Sequence, residues 1–538
     1  MLEFRSPLTF SLWASAFILA VFNMRYWQEA FKALGNNATL QGSLLLLNLS
    51  AFLLLGFTLV LLIIPGQKTR AVALGLVCPV AAMAAYCADN FGLPIDREMI
   101  RNIGRTDFRE ARGLFNYKLG LYVILLGVLP IFLIARSRVA AVSLKQQLLH
   151  VAMLACASAA MLALLYWAFP NQARTSTGSQ KHLHYFLVPV SALQSVAQFS
   201  RSAFAASSAS PGIDVSDAVR LERPKGSKPL LVFLVIGETA RHMNFQLGGY
   251  SRPTNPQLSK VENLTYFSHV EACATTTALS VPCMLSPLDR MQFNVDKMDR
   301  GRLALHELES AGTHIQWRTN NSGSKDVQSR FTILNALEED AFPCSPWTCL
   351  DDVLITGLEE SVLQHRQDQM VVFHQAGSHG PDYFKRYPPS LEVFKPACTT
   401  NVLSECSNEQ IRNAYDNTIV YTDHLLKTKI DILKKLSSEF DSLLIYISDH
   451  GESLGENGIY LHGAPYAMAP VEQIRVPLIM WISDGYAERF KLEKQCMGRQ
   501  AAMPYSHANL YHTLLGSMQV TNSLYTRTRD IMAACRHP

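Results

Sequence analysis

Five long apolar runs crowd the first third of this chain, at roughly residues 8–23, 42–64, 71–88, 118–135 and 147–169. Each approaches the about 20 residues that a helix needs to cross the hydrocarbon of a bilayer. Soluble helices of this length carry a polar stripe, and these do not, so five membrane spans are expected. Arg5, Lys68, Arg70, Arg136, Arg138 and Lys145 flank one set of span ends, as cytoplasmic loops do. The opposite loop, 90–117, is also basic, with Arg97, Arg101, Arg105, Arg109 and Arg112, so charge alone does not orient the chain. Cysteine does. Cys78, Cys87 and Cys156 lie in apolar runs, where a thiol packs as a small hydrophobe, and the other eight follow residue 170. Their close spacings (Cys273 and Cys283, Cys344 and Cys349, Cys398 and Cys406, leaving Cys496 and Cys535) suggest nearest-neighbour disulfides in an oxidising compartment. With five spans the N-terminus is then cytoplasmic and the large C-terminal part outside. Asn23-Met24-Arg25-Tyr26 after the first run offers no small-residue cleavage site, so an uncleaved anchor is expected.

A net charge of +4 over 538 residues argues against a nucleic-acid partner, and the spans account for the 49% hydrophobic content. The expected divisions are a transmembrane domain at 1–170, a bridging segment and linker at 171–229, and a catalytic domain at 230–538. Within the last, strand-like runs at 230–236, 314–319, 369–374, 442–447 and 475–481 alternate with helical patterns, most clearly 408–438 and 506–518. Continuous apolar strands between helices specify an α/β fold with a mostly parallel sheet covered on both faces. Sites in such sheets collect at the carboxyl ends of strands, and Glu238, His379, Asp449 and His450 all fall just past one.

Glu238, Asp449 and His450 offer two carboxylates and an imidazole, a three-ligand set for Zn2+ with a fourth position open to a reacting oxygen. An Asp-His-Gly at a strand end is by itself more often structural; a Gly-Glu-Thr at a second strand end reverses that judgement. The hydroxyl comes from Thr275-Thr276-Thr277, between Cys273 and Cys283. Coordination would stabilise a threonine alkoxide, and a helix opening there would favour a phosphate. The residues alone do not choose among the three threonines.

Longer motifs add to this reading. Gly237-Glu238-Thr239-Ala240-Arg241, Asn244 with Gly248-Gly249-Tyr250-Ser251-Arg252, Ser280-Val281-Pro282-Cys283-Met284, Asn320-Asn321-Ser322 and the run Ser448 to Glu456 resemble the lipid A phosphoethanolamine transferases, which include the mobile colistin-resistance enzymes. The resemblance covers nearly the whole chain. It implies a five-helix inner-membrane domain followed by a periplasmic alkaline phosphatase/sulfatase-like α/β/α sandwich. It implies Glu238, Thr277, Asp449 and His450 as zinc ligands, Thr277 as nucleophile, and His379 and His462 lining the phosphate site, where they can take a second zinc during turnover. Lys325 and Ser322 match positions that contact the head group. Asn102, Thr106 and Glu110, four residues apart and so on one face of a helix, match positions that hold the ethanolamine end. The implied donor is phosphatidylethanolamine and the acceptor a lipid A phosphate, in contact with membrane lipids; a monomer is expected. Ala274, where relatives often have glycine, and the short Cys344 to Cys349 loop depart from the pattern without touching the chemistry. Core heptose, Kdo or a periplasmic glucan as acceptor, and a non-catalytic membrane sensor, are the competing readings. The sulfatase Cys-x-Pro-x-Arg motif is absent.

Overall fold

The computed structural model describes residues 2–33, 40–105, 108–168, 183–208, 216–298, 302–321, 327, 331–335, 344 and 349–536. By internal contacts the chain forms two units, Met1–Arg97 with Phe115–Gln198, and Glu98–Leu114 with Phe199–Pro538. The helix Val190–Ser208 begins tied to the first unit, through Ser195 Oγ donating to the Ile95 carbonyl at 3.1 Å.

In the first unit, helices α1 (Pro7–Val21), α2 (Met24–Ala33), α3 (Leu40–Ile63), α4 (Gln67–Phe91), α5 (Tyr117–Ala135) and α6 (Leu144–Ala168) carry the apolar runs. Four of them, α3 to α6, are long and apolar enough to cross a membrane alone. The first run differs from expectation. At 1.5 Å per residue α1 reaches only about 22 Å, short of a bilayer core, and α2 continues it after a 63° bend, so the count is five only if that pair is one span. Asn23 makes the break: its Nδ2 donates to the carbonyls of Ile18 (3.0 Å) and Val188 (2.8 Å), and its Oδ1 accepts from the Val188 N–H (2.8 Å). Side-chain bonds thus replace helix bonds at the turn. Within α5 the helix widens to π geometry over Val123–Val128, ahead of Pro130, whose ring nitrogen cannot donate to the ladder. Large apolar side chains such as Leu47, Leu76 and Trp167 point outward and are more than half exposed, as helices bathed in lipid require.

The second unit is built on an eight-stranded sheet of β1 (Leu230–Gly237), β2 (Leu264–Glu271), β3 (His314–Thr319), β4 (Thr332–Asn335), β5 (Gln369–His374), β6 (Asp441–Ser448), β7 (Arg475–Ile482) and β8 (Tyr505–Ser506). Its order is β8-β2-β7-β6-β1-β5-β3-β4. Only β7 runs against the rest, pairing antiparallel with β6 and β2. Every residue of β1, β5 and β6 is buried, which is why these strands read as unbroken apolar runs. The expectation missed β2, β4 and β8. In β2 polar Thr265, Ser268 and His269 interrupt the apolar residues, and β8 is two residues long. The long helix α8 (Asn408–Lys435) starts at a capping box in which Ser407 and Gln410 satisfy each other's backbone. Disulfides join Cys273 to Cys283, Cys344 to Cys349, Cys398 to Cys406 and the two left over, Cys496 to Cys535.

Candidate active site and metal centre

Register brings the acidic residues together. Gly237 of β1 pairs with Ser448 of β6 in a parallel ladder, so the next residues, Glu238 and Asp449, leave the sheet side by side. Thr239 then takes φ +54°, a left-handed conformation that a β-branched residue resists. Three bonds hold it there: its N–H donates to Asp449 Oδ1 (3.2 Å), its Oγ1 to the Glu238 carbonyl (2.9 Å), and its carbonyl accepts from the Tyr415 hydroxyl (2.7 Å). Two glycines keep space here. A Cβ at Gly377 (φ +52°) would lie 2.6 Å from the Glu238 carbonyl, and one at Gly451 would lie 2.0 Å from the Glu472 carbonyl. Gly451 is therefore needed for close approach, and its turn leaves Asp449 and His450 both facing one point.

That point is also where Thr277 sits. It opens helix α7 (Thr277–Met284), whose loop is closed by the Cys273–Cys283 disulfide. Thr277 Oγ1 donates to Glu238 Oε2 at 2.9 Å and lies 3.3 Å from His450 Nε2. His450 Nε2 is also 3.4 Å from Glu238 Oε1 and 3.3 Å from Asp449 Oδ2. The Nδ1–H of His450 donates to the Gly451 carbonyl (3.0 Å), which leaves the Nε2 lone pair turned to the cluster. Burial pushes this imidazole down to about 4, outweighing the pull of Asp449, so it is neutral at pH 7. Glu238, His450 and His462 can each offer one ligand atom within 4.8 Å of the others. Asp449 Oδ2 is buried with no hydrogen-bond partner among the described residues. Two buried carboxylates, a neutral imidazole and a hydroxyl, with one carboxylate oxygen unsatisfied, suit a divalent cation.

His379 and His462 close the other side, their rings 5.0 Å apart, with His462 4.4 Å from the His450 ring. Glu452 orients His462, accepting at 2.8 Å from its Nδ1, and is itself held by the Tyr383 hydroxyl (2.7 Å). Asn102 lies in the helix Arg97–Arg105 and is partly exposed. Thr106, Ser322 and Lys325, and the side chain of Glu110, lie outside the described residues.

Other residues of the site were not read from the sequence as parts of it. Asn321 Nδ2 donates to Glu238 Oε2 (2.7 Å) and to the Gln375 carbonyl (3.0 Å). Behind it, the buried Asp351 accepts from Asn320 Nδ2 (2.9 Å) and from the N–H groups of Ala376 (2.9 Å) and Gly377 (3.0 Å). One carboxylate thus fixes both the Asn321 turn and the loop leading to His379. Asp351→Asn keeps the volume but turns one acceptor into a donor facing a backbone N–H; we expect turnover about 10-fold lower with an unchanged KM, the lower end of the range for residues that position a site from behind. Steady-state kinetics on the purified variant checks this, and wild-type turnover would refute it. His507 Nδ1 accepts from the Cys273 N–H (3.1 Å) while its Nε2–H donates to the Ser448 carbonyl (3.0 Å), so it staples the loop that carries Thr277 to the end of β6. Asn321 and Glu452 sit in motifs that the sequence displays; His507 has no such signal.

A hydroxyl held against a carboxylate and an imidazole at the carboxyl end of a mostly parallel sheet, in a chain that also carries membrane helices, defines a membrane-anchored enzyme of the sulfatase and alkaline-phosphatase class. Residues 231–520 match the sulfatase family, and residues 49–204 match the family described as phosphoethanolamine transferase EptA/EptB. Phosphoethanolamine transferase EptA of Escherichia coli K12 is 37% identical over 472 residues, 85% of this chain and 84% of that one. Phosphatidylethanolamine transferase Mcr-1 of Escherichia coli is 36% identical over 416 residues, 76% and 77% of the two chains. The solved structure of the integral membrane lipooligosaccharide phosphoethanolamine transferase A from Neisseria meningitidis superposes with a TM-score of 0.93 at 29% identity, covering all of both chains. The chain belongs to the phosphoethanolamine transferase family. It is a multi-pass inner-membrane protein with its large domain in the periplasm.

Proposed function

We propose that this transferase moves phosphoethanolamine from phosphatidylethanolamine to a phosphate of lipid A through a covalent intermediate on Thr277. The observation that carries the reading is the convergence of Thr277 Oγ1 on Glu238 Oε2 and His450 Nε2. The names of Mcr-1 and of the meningococcal relative, a phosphatidylethanolamine transferase and a lipooligosaccharide phosphoethanolamine transferase, support the donor and the acceptor class. Zinc is the ion we assign to Glu238, Asp449, His450 and Thr277; once bound it lowers the pKa of the hydroxyl and offsets charge on the phosphoryl oxygens.

The residues then divide the work. Thr277 Oγ1 attacks phosphorus, the bond from phosphorus to the diacylglycerol oxygen breaks, and the threonine proton leaves along the hydrogen bond to Glu238. The departing oxygen takes a proton from His462, which Glu452 holds in orientation. His379 lines the phosphoryl side with His462, and Lys325 and Ser322 are assigned to the head group, with Asn102, Thr106 and Glu110 at its ammonium end. In the second half a lipid A phosphate oxygen attacks the phosphorus as its proton passes to His462, the bond from phosphorus to Thr277 Oγ1 breaks, a phosphoanhydride forms, and Thr277 regains its proton from Glu238. Two in-line displacements give net retention at phosphorus; inversion with a chiral donor would remove the covalent step.

Mass spectrometry of lipid A from Gram-negative cells expressing the chain tests the acceptor. We expect a phosphoethanolamine adduct, and with it lower polymyxin and colistin sensitivity, because a cationic cap weakens the negative field that attracts these drugs. Unmodified lipid A beside folded membrane protein would reject this acceptor in favour of a core sugar or glucan.

A further inference from the structure

At the far end of the sheet from Thr277 lies a second concentration of charge. Arg489 Nη1 donates to the Lys228 carbonyl (2.7 Å), just before β1, and is 3.5 Å from Asp441, the first residue of β6. Glu238 and Asp449 follow the opposite ends of these eight-residue strands, about 25 Å away at 3.3 Å per residue. Beside Arg489 is a cavity of about 360 Å³ lined by Arg489, Lys491, Arg527 and Arg536, with Phe490 and Tyr525, and with no acidic side chain in its lining.

Two features make this more than a solvated basic face. The guanidiniums of Arg489 and Arg536 flank one ring, 5.9 and 5.0 Å from the Phe490 centroid, and that ring stacks on Tyr486 at 4.3 Å. Like charges are thus gathered by packing in place of spreading into water. The Cys496–Cys535 disulfide fixes Arg536 through its neighbour. Secondly, the groups are incompletely satisfied. The Arg489 side chain is only 8% exposed and the Arg536 side chain 15%. Arg489 spends Nη1 on Lys228 and Nη2 on Gln519 Oε1 (2.7 Å), and Arg536 Nη1 is 3.0 Å from Asp530 Oδ2. Nε of Arg489, and Nε and Nη2 of Arg536, are buried with no hydrogen-bond partner among the described residues. Asp441 and Asp530 are the carboxylates paired with Arg489 and Arg536. With Arg527 exposed and no acidic side chain in the lining, the cleft suits an oxyanion, which accepts charge-assisted hydrogen bonds from guanidinium groups.

We infer that this cleft is a second, non-catalytic site that binds a phosphate-type oxyanion, either free phosphate or the phosphate of a lipid head group. The test uses the full chain, with hydrogen–deuterium exchange read over residues 486–492 and 519–536, which separates this cleft from the catalytic centre. Inorganic phosphate is added to protein in neutral detergent, and in parallel the protein is placed in phosphatidylcholine vesicles with and without phosphatidylglycerol. Protection by inorganic phosphate identifies a free oxyanion as ligand; protection by phosphatidylglycerol vesicles alone identifies a lipid phosphodiester. Arg527→Gln, at an exposed side chain, is expected to weaken the effect about 10-fold, the equivalent of one charge-assisted hydrogen bond, with transfer activity unchanged. Arg489→Gln is expected to abolish it. No protection from either anion, or equal protection in both variants, overturns the assignment.

Discussion

Thr277→Ala is expected to lower phosphoethanolamine transfer by about 1,000-fold or more, the scale on which loss of a nucleophile is felt, and to leave no phosphoethanolamine-protein adduct when donor is supplied alone. The three neighbouring threonines make the prediction specific. Thr275 Oγ1 donates to the Ala464 carbonyl (2.7 Å), and Thr276 precedes the helix as its cap residue without a side-chain cap bond. Only Thr277 turns its hydroxyl to Glu238 and His450. Thr275→Ala and Thr276→Ala should therefore stay within about 10-fold of wild type, since each loses at most one ordinary hydrogen bond. Thr277→Ser keeps the oxygen but loses the methyl that restricts χ1, so it should retain measurable turnover and form the adduct. Intact-protein mass spectrometry after incubation with phosphatidylethanolamine reads the adduct directly. An adduct persisting in Thr277→Ala would place the nucleophile elsewhere.

The parts of this site that the sequence displays are those set by strand ends. Runs such as Leu230–Gly237 and Asp441–Ser448 announce two buried parallel strands, and the residues that follow such strands share an edge, so Glu238 and Asp449 could be paired on paper. In the sheet Gly237 pairs with Ser448, the residues just before Glu238 and Asp449. The choice of Thr277 over Thr275 or Thr276 had no basis in residue type, because it depends on which hydroxyl the first helical turn aims at Glu238. His507 was invisible for a related reason: it joins Cys273 to Ser448 across 234 and 59 positions of sequence, and no local pattern marks such a link. In the membrane unit, hydropathy located all five apolar runs but not the 63° break in the first. That break rests on Asn23 bonding Val188, 165 residues away. Strand Leu264–Glu271 escaped because its apolar residues are interrupted, a pattern that suits its place beyond the antiparallel β7 and away from the fully buried centre of the sheet.

Removing the metal should cost stability as well as activity, and the second readout is the more discriminating. Glu238 and Asp449 are 1% and 0% exposed and both lie within 3.4 Å of the same imidazole nitrogen. With that imidazole held neutral at pH 7, chelation leaves two buried carboxylates facing each other with no cation between them. We expect a chelator to lower the melting temperature of the full chain by about 5 °C or more, since a penalty of a few kcal/mol moves a domain of this size by roughly 2–4 °C per kcal/mol, and added zinc to restore both melting temperature and transfer. Glu238→Gln separates the causes. It removes one negative charge, so the chelator should shift its melting temperature much less than that of the wild type, and we expect it to bind zinc weakly and transfer little. Melting curves with and without chelator, alongside metal content by elemental analysis, give the comparison. A wild-type melting temperature indifferent to chelation, in protein shown to have lost its metal, would mean that the paired carboxylates are neutralised by a shared proton, and Asp449 would then be a hydrogen-bonding residue instead of a ligand.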